Sequence, residues 1–211
     1  MEKRNIKEKR DESVRSIMEA ATGVFADAGF AGARMEEIAK RAGVNKAMIY
    51  YRIGDKKALY TKVLHEVFGA AAERISKIIK DEYTPEAKLR AYLRGLAGTM
   101  ENHPSMPFII LREMASKGLQ LNKVIANDLL SILSTVGEIL DDGVKKGVFI
   151  PTDPLTMHLL VIGVMVLFRV TMPMRETFAS LFPDNIKGPE MKSFNDFLQE
   201  LEGIVLRAVR V

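Results

Sequence analysis

Between Met35 and Tyr51 the chain reads MEEIAKRAGVNKAMIYY, a spacing suited to one kind of chemistry, the reading of a nucleic-acid groove by a short helix. Two helices that cross closely need a small residue in the first and a residue tolerant of positive φ at the turn between them. Ala39 meets the first need, and Gly43, four residues later, meets the second. Val44 and Ile49 then lock the second helix to the first above Ile38. Asn45, Lys46, Ala47, Met48, Tyr50 and Tyr51 are left facing outward. They bring together the amide, cationic and aromatic groups with which a helix addresses a major groove. A helical hairpin with a merely solvated polar face shows the same Ala-to-Gly spacing. Two adjacent exposed tyrosines on a short cationic helix are harder to attribute to solvation.

Other chemistries find little support. His65, His103 and His158 are far apart and lack metal-ligand spacing. There is no glycine-rich phosphate loop, nucleophile elbow or HExxH. Glu36 and Glu37 are adjacent, so on a helix they diverge, and a solvated face accounts for them. With no cysteine, disulfides, thiol catalysis and thiolate metal sites are excluded. An enzyme reading survives only as an all-helical transferase with dispersed site residues, and no cofactor is expected.

Charge supports the groove-reading segment. Residues 1–60 carry 13 Lys/Arg against 9 Asp/Glu, and the rest carries 18 of each, so the whole net charge of +4 lies at the N-terminal end. A basic segment on a neutral body suits a polyanion-binding module on a separate scaffold. The first twelve residues lack the apolar core of a signal peptide. The longest apolar run, Leu159 to Phe168, is ten residues, against about 20 for a membrane span. The expectation is a cytoplasmic protein with no membrane partner.

The elements that must position this motif are all helical. Val14, Ile17, Met18, Ala21, Phe25 and Ala28 follow the helical period up to a stop at Gly29. Helices follow over Met35–Ala42, from the N-cap Asn45 to about Tyr51, and from the cap Asp55 to about Lys80. Thr84-Pro85 opens a fifth, and Pro104 and Pro107 bracket a turn or the start of a sixth that ends near Lys117-Gly118. A seventh runs from about Asn122 to Lys146. Asp153-Pro154 opens an eighth, apolar nearly all round to Thr171. Pro173 to Pro189 reads mostly as loop, with a short turn near Phe178 to Phe182, and a last helix covers about Glu190 to Arg210. No strand-period segment competes, so the fold class is all-α with about nine helices. A three-helix helix-turn-helix domain over 1–54 precedes a larger helical body over 55–211.

From Arg15 to Leu64 the chain resembles the DNA-binding domain of the TetR family of transcriptional regulators. The resemblance rests on Ile17, Ala20-Ala21, Phe25, Gly29-Phe30, Met35, Ile38-Ala39, Ala42-Gly43-Val44, Lys46, Ile49-Tyr50, Lys56 and Leu59-Tyr60. Beyond that segment the likeness is in length and helix count only. Ala47, Asn45 and Ile53 depart from the residues usual in the family, and Arg34 stands where a hydroxyl is common. The resemblance implies that Asn45, Lys46, Ala47 and Met48 lie at or near base edges, and that Tyr50 and Tyr51 reach the backbone. Tyr50 has a rival place in the domain core. Lys56, at a helix start that attracts phosphate, Arg34 and Arg52 complete the DNA-binding set. The tail residues Lys3, Arg4, Lys7, Lys9 and Arg10 enter a minor groove or merely solvate.

For the body the resemblance implies a homodimer on a palindromic double-stranded operator, regulated by a bound ligand and acting as a repressor. Met100, Met106, Phe108, Met114, Met165, Phe168 and Met172 on the central helices, with His103, Arg112 and His158 as sparse polar groups, suit an adaptable pocket for a small apolar or amphipathic effector. Singly, each reads equally well as core. An architectural DNA-binding dimer without effector is the alternative. The eighth and last helices are the expected dimer interface, through Phe194, Phe197, Leu198, Leu201 and Ile204 on the latter.

Overall fold

The computed structural model describes residues 2–178 and 193–211, with side chains described from residue 11 onward. Among the described residues there are ten helices and no strand: α1 (Glu2–Gly32), α2 (Met35–Ala42), α3 (Lys46–Arg52), α4 (Lys56–Ile79), α5 (Pro85–Asn102), α6 (Met106–Ala115), α7 (Lys123–Lys145), α8 (Pro154–Val170), α9 (Met172–Thr177) and α10 (Phe194–Val209). None of them is long and apolar enough to cross a membrane.

Capping explains most boundaries. Thr84 accepts from Ala87 N–H and Asp153 from Thr156 N–H, each ahead of a proline at the first helical position. Ser193 and Asp196 form a reciprocal capping box at the start of α10. Two boundaries differ from expectation. The stretch after Thr171 opens with α9, because Pro173 stands in its first turn, where no intrahelical N–H is required. Helix α1 begins at Glu2, so the basic residues Lys3 to Arg10 lie on helical backbone. Gly29 (φ 66°, ψ 178°) is the non-helical break inside α1, at the position where a stop is expected. The turn expected at Phe178 to Phe182, past Phe178, and the helix start at Glu190 fall outside the described residues.

The chain forms two compact units. Unit 1 comprises residues 1–69 and 108–127. Its core is Ile17, Ala21, Phe25, Ile38, Ile49, Leu59 and Tyr60, all closed to solvent. Phe25 meets Tyr60 edge-on at 4.6 Å, and Phe30 lies 5.1 Å from the same ring. The boundary expected at residue 54 falls inside this unit, since the start of α4 and most of α6 pack with the helix-turn-helix. Tyr60 donates to the buried Glu113 carboxylate at 2.5 Å. Arg112 donates to the carbonyls of Ala26 (2.7 Å) and Asp27, just ahead of the break at Gly29.

Unit 2 comprises residues 70–107 and 128–211. Its core includes Ile75, Leu89, Tyr92, Leu96, Met100, Ile132, Val136, Val161, Met165 and Val205. Arg90 and Arg94 of α5 converge on the buried Glu202 of α10, at 3.1 and 2.8 Å, which gives that carboxylate the partners its burial demands.

Candidate nucleic-acid interface

The turn between α2 and α3 is held by backbone chemistry. Gly43 has φ 67° and ψ 27°; its N–H donates to Lys40 O, and Val44 N–H donates to Ala39 O, the paired bonds of a Schellman turn. Asn45 follows in extended conformation, and its Oδ1 accepts from Met48 N–H at 2.7 Å. Below the turn, Ile38 and Ile49 are fully buried. This fixes which face of α3 is left outward.

On that face Lys46, Ala47, Tyr50 and Tyr51 are exposed, Tyr51 to 83%. Lys46 Nζ lies 6.0 Å from the Tyr50 ring centre, and the Arg52 guanidinium 5.5 Å from that of Tyr51. Tyr50 is 46% exposed, so part of its ring packs and the rest is open. Met48 and Arg52 are half-buried, and Arg52 Nε is buried without a partner. Arg34 is exposed as the extended residue before α2 and makes no capping bond.

Two candidates are engaged in the free protein. Lys46 pairs with Glu36 of α2 at 2.5 Å, which raises the lysine pKa and lowers that of the glutamate, chiefly through their hydrogen bond. Lys56 donates to Ala31 O at 3.3 Å and lies 4.8 Å above the Phe30 ring. Asn45 is limited in a different way. With Oδ1 spent on the cap, only its amide N–H groups are open, and a bidentate contact to adenine needs both.

The sequence pattern assigns Glu36 to solvation; in the fold it sets the position of Lys46. The pattern also passes over Arg41, whose guanidinium joins Glu37 (2.9 Å) on its own helix to Asp27 (3.0 Å) on α1. The i,i+4 spacing to Glu37 is a visible signal. The pairing with Asp27 leaves none.

The effector candidates fall in both units. Phe108 and Arg112 belong to unit 1, where Phe108 is 37% exposed and Arg112 is bound to the α1 carbonyls. Met100 and Met165 are buried in unit 2, and Phe168 stacks on Phe197 at 4.0 Å. His103 ends α5, its N–H donating to Thr99 O. His158 is 8% exposed, with Nδ1 2.6 Å from the Tyr92 hydroxyl; burial lowers its pKa and holds the ring neutral. Among the described residues no three His, Asp or Glu side chains are grouped as a metal site.

Residues 17–63 match the model of bacterial regulatory proteins of the tetR family, and residues 85–196 that of the tetracyclin repressor-like C-terminal domain. The chain belongs to the TetR family. It is a helix-turn-helix transcriptional regulator, and the geometry above is its DNA-binding head. Among its relatives is the HTH-type transcriptional repressor NicS of Pseudomonas putida, 27% identical over 200 residues, or 92% of this chain and 91% of that protein. The HTH-type transcriptional regulator RutR of Escherichia coli O157:H7 is 29% identical over 146 residues, 69% of this chain and 68% of its own. The crystal structure of the transcriptional regulator FadR from Bacillus subtilis in complex with stearoyl-CoA shares the fold. It has a TM-score of 0.67 and 22% identity, over 92% of this chain and 96% of that one. These relatives are transcriptional regulators rather than enzymes.

Proposed function

We propose that the protein is a cytoplasmic, ligand-responsive repressor that binds a palindromic operator as a homodimer. The observation that carries DNA reading is the outward face of α3, presented on a turn that Gly43 and Asn45 hold in one conformation. Lys46, Ala47 and Met48 address base edges, with the Asn45 amide beside them. Tyr50, Tyr51, Arg34, Arg52 and Lys56 position the backbone. Lys56 is supported in this by its place at the first residue of the 24-residue α4, whose positive dipole end, capped by Asp55, attracts an anion.

The homodimer is supported by α8, which leaves Leu155, Leu159, Leu160, Val164 and Leu167 exposed along one side, with Ile204 of α10 also exposed. A second copy covers such a face by twofold symmetry. Of the other apolar residues of α10 expected there, Phe194, Leu198 and Leu201 are buried in the single chain and serve the unit's own core, and Phe197 is half-buried against Phe168.

The effector reading is supported by the buried methionines and the neutral Tyr92–His158 pair of unit 2, which suit an apolar or amphipathic compound. Helix α4 contributes to both units. A ligand favouring one setting of α4 by about 1–3 kcal/mol shifts operator affinity roughly 5–150-fold.

Binding of full-length protein to selected and to random duplexes, measured by anisotropy across salt concentrations, tests this. Lys56→Ala weakens all duplexes alike and reduces the salt slope by about 0.9 for each phosphate that the variant leaves unneutralised. Substituting Lys46 changes the preferred base. Equal affinity for selected and random DNA at physiological salt refutes the specific repressor.

A further inference from the structure

The DNA-reading face carries a carboxylate where a polyanion is to be bound. Glu36, the second residue of α2, accepts from Lys46 Nζ at 2.5 Å, and Lys46 is the first residue of α3. In a helix-turn-helix the N-terminal end of the second helix is the part that meets base edges. Glu36 therefore stands at the groove-facing end of the motif, its side chain 66% exposed. An acidic group there opposes the phosphates of every duplex alike.

Its neighbour is placed differently. Glu37 is joined to Arg41 of its own helix, and Arg41 also reaches Asp27 on α1. Of the two adjacent carboxylates, Glu36 is the one bound to a DNA-reading residue. An ammonium has three N–H donors. With one given to Glu36, two remain for the O6 and N7 of a guanine. The same bond keeps the lysine from swinging out to a phosphate. In water such an exposed pair adds little to stability. Pressed against DNA it loses water, and the attraction between its charges grows as the local dielectric falls.

We propose that Glu36 is a specificity-determining residue, which withholds Lys46 from the phosphates that all duplexes share and holds its ammonium for a base edge. This rests on the reading of α3 as the base-reading helix. On a duplex without the matching base, Lys46 stays paired with Glu36 and gains no phosphate, so random DNA is penalised more than the operator.

Anisotropy titrations of the full chain test this across salt concentrations, with a selected operator, its single-base variants and a random duplex. The proteins compared with wild type are Glu36→Gln, Glu37→Gln, Lys46→Met and the double variant Glu36→Gln/Lys46→Met. In Glu36→Gln the random duplex is expected to bind about fivefold more tightly or better, with a salt slope steeper by about 0.9 per subunit for the phosphate that Lys46 then neutralises. The operator gains less, so the ratio of selected to random affinity falls. Discrimination is lost at the base position that Lys46→Met also blurs. Glu37→Gln removes the same charge one residue away and leaves that position discriminated as in wild type. In the double variant the slope is no steeper than in Lys46→Met, because the new phosphate contact needs the lysine. The proposal is overturned if Glu36→Gln behaves like Glu37→Gln, if the slope gain survives without Lys46, or if operator preference is undiminished. Equal affinity of wild type for selected and random DNA refutes the repressor reading instead, and the random-duplex slopes then score the hold of Glu36 on Lys46 by themselves.

Discussion

Leu160→Glu, in the exposed apolar row of α8, perturbs the proposed dimer where the single chain leaves the side chain half open. Leu155, Leu159, Leu160 and Leu167 are 51%, 52%, 48% and 56% exposed, and Val164 is 40% exposed. Full burial of a leucine is worth about 1.5–3 kcal/mol, so covering the open half returns about 1 kcal/mol per side chain. Symmetry doubles each term, and five such residues per copy give about 10 kcal/mol, comparable with an association cost of about 4–15 kcal/mol. The interface must therefore draw on further surface, Ile204 included. Leu160→Ala removes about 2 kcal/mol per dimer, close to 30-fold in the dimer constant. Leu160→Glu also buries two unpaired carboxylates, a penalty of several kcal/mol more, and yields a monomer at micromolar concentration. Sedimentation velocity over a concentration series reads the dissociation, and circular dichroism establishes that the variant is folded. Operator affinity falls with dimerisation, because a monomer contacts one half-site. A folded Leu160→Glu chain that sediments like wild type sinks the reasoning, as does a wild-type monomer that binds the full operator tightly. Leu201→Glu is the contrasting control: with Leu201 only 4% exposed, it unfolds the chain rather than dissociating it.

Acidification provides a second test, through His158. Burial depresses its folded-state pKa below the ordinary 6.5, so below about pH 6.5 the unfolded chain binds the extra proton and stability falls, by up to about 1.4 kcal/mol per pH unit. Chemical denaturation between pH 7.5 and 5, values chosen at roughly one unit or more on either side of that pKa, is expected to show a shallower acid limb in His158→Gln, and identical limbs would contradict the assignment. At the motif's turn, a Cβ on Gly43 meets no atom within 4 Å, but its φ is +67°, so Gly43→Ala costs about 1–2 kcal/mol through conformation alone. Gly43→Asn is expected to lose less, and an Ala variant as stable as wild type in a denaturant titration counts against the constraint.

Short-range patterns were enough to define the DNA-reading motif. Ala39, Gly43, Asn45 and Ile49 act through contacts and backbone angles within a few residues, and a helical period of 3.6 announces which side chains turn inward. The tetR family resemblance between Arg15 and Leu64 rests on the same local set, and the matched residues 17–63 cover nearly the same stretch. Helix boundaries were legible for the same reason wherever a cap or a proline marked them. The short helix after Thr171 was not legible, because proline in a first helical turn and proline in a loop look alike without the residues that follow being placed.

What the tertiary structure alone decided are the pairings across long stretches of chain. Tyr60 with Glu113 spans 53 residues, Arg112 with Ala26 spans 86, and Arg94 with Glu202 spans 108. No periodicity encodes such partners, since each depends on how helices pack rather than on spacing along one of them. Arg112 therefore reads as a pocket residue in the sequence, although it closes the broken end of α1. Glu36 reads as solvated, although it holds Lys46. The apolar stripe of α10 reads as an interface, yet most of it faces its own core, because periodicity reports which face of a helix is apolar and never what covers that face.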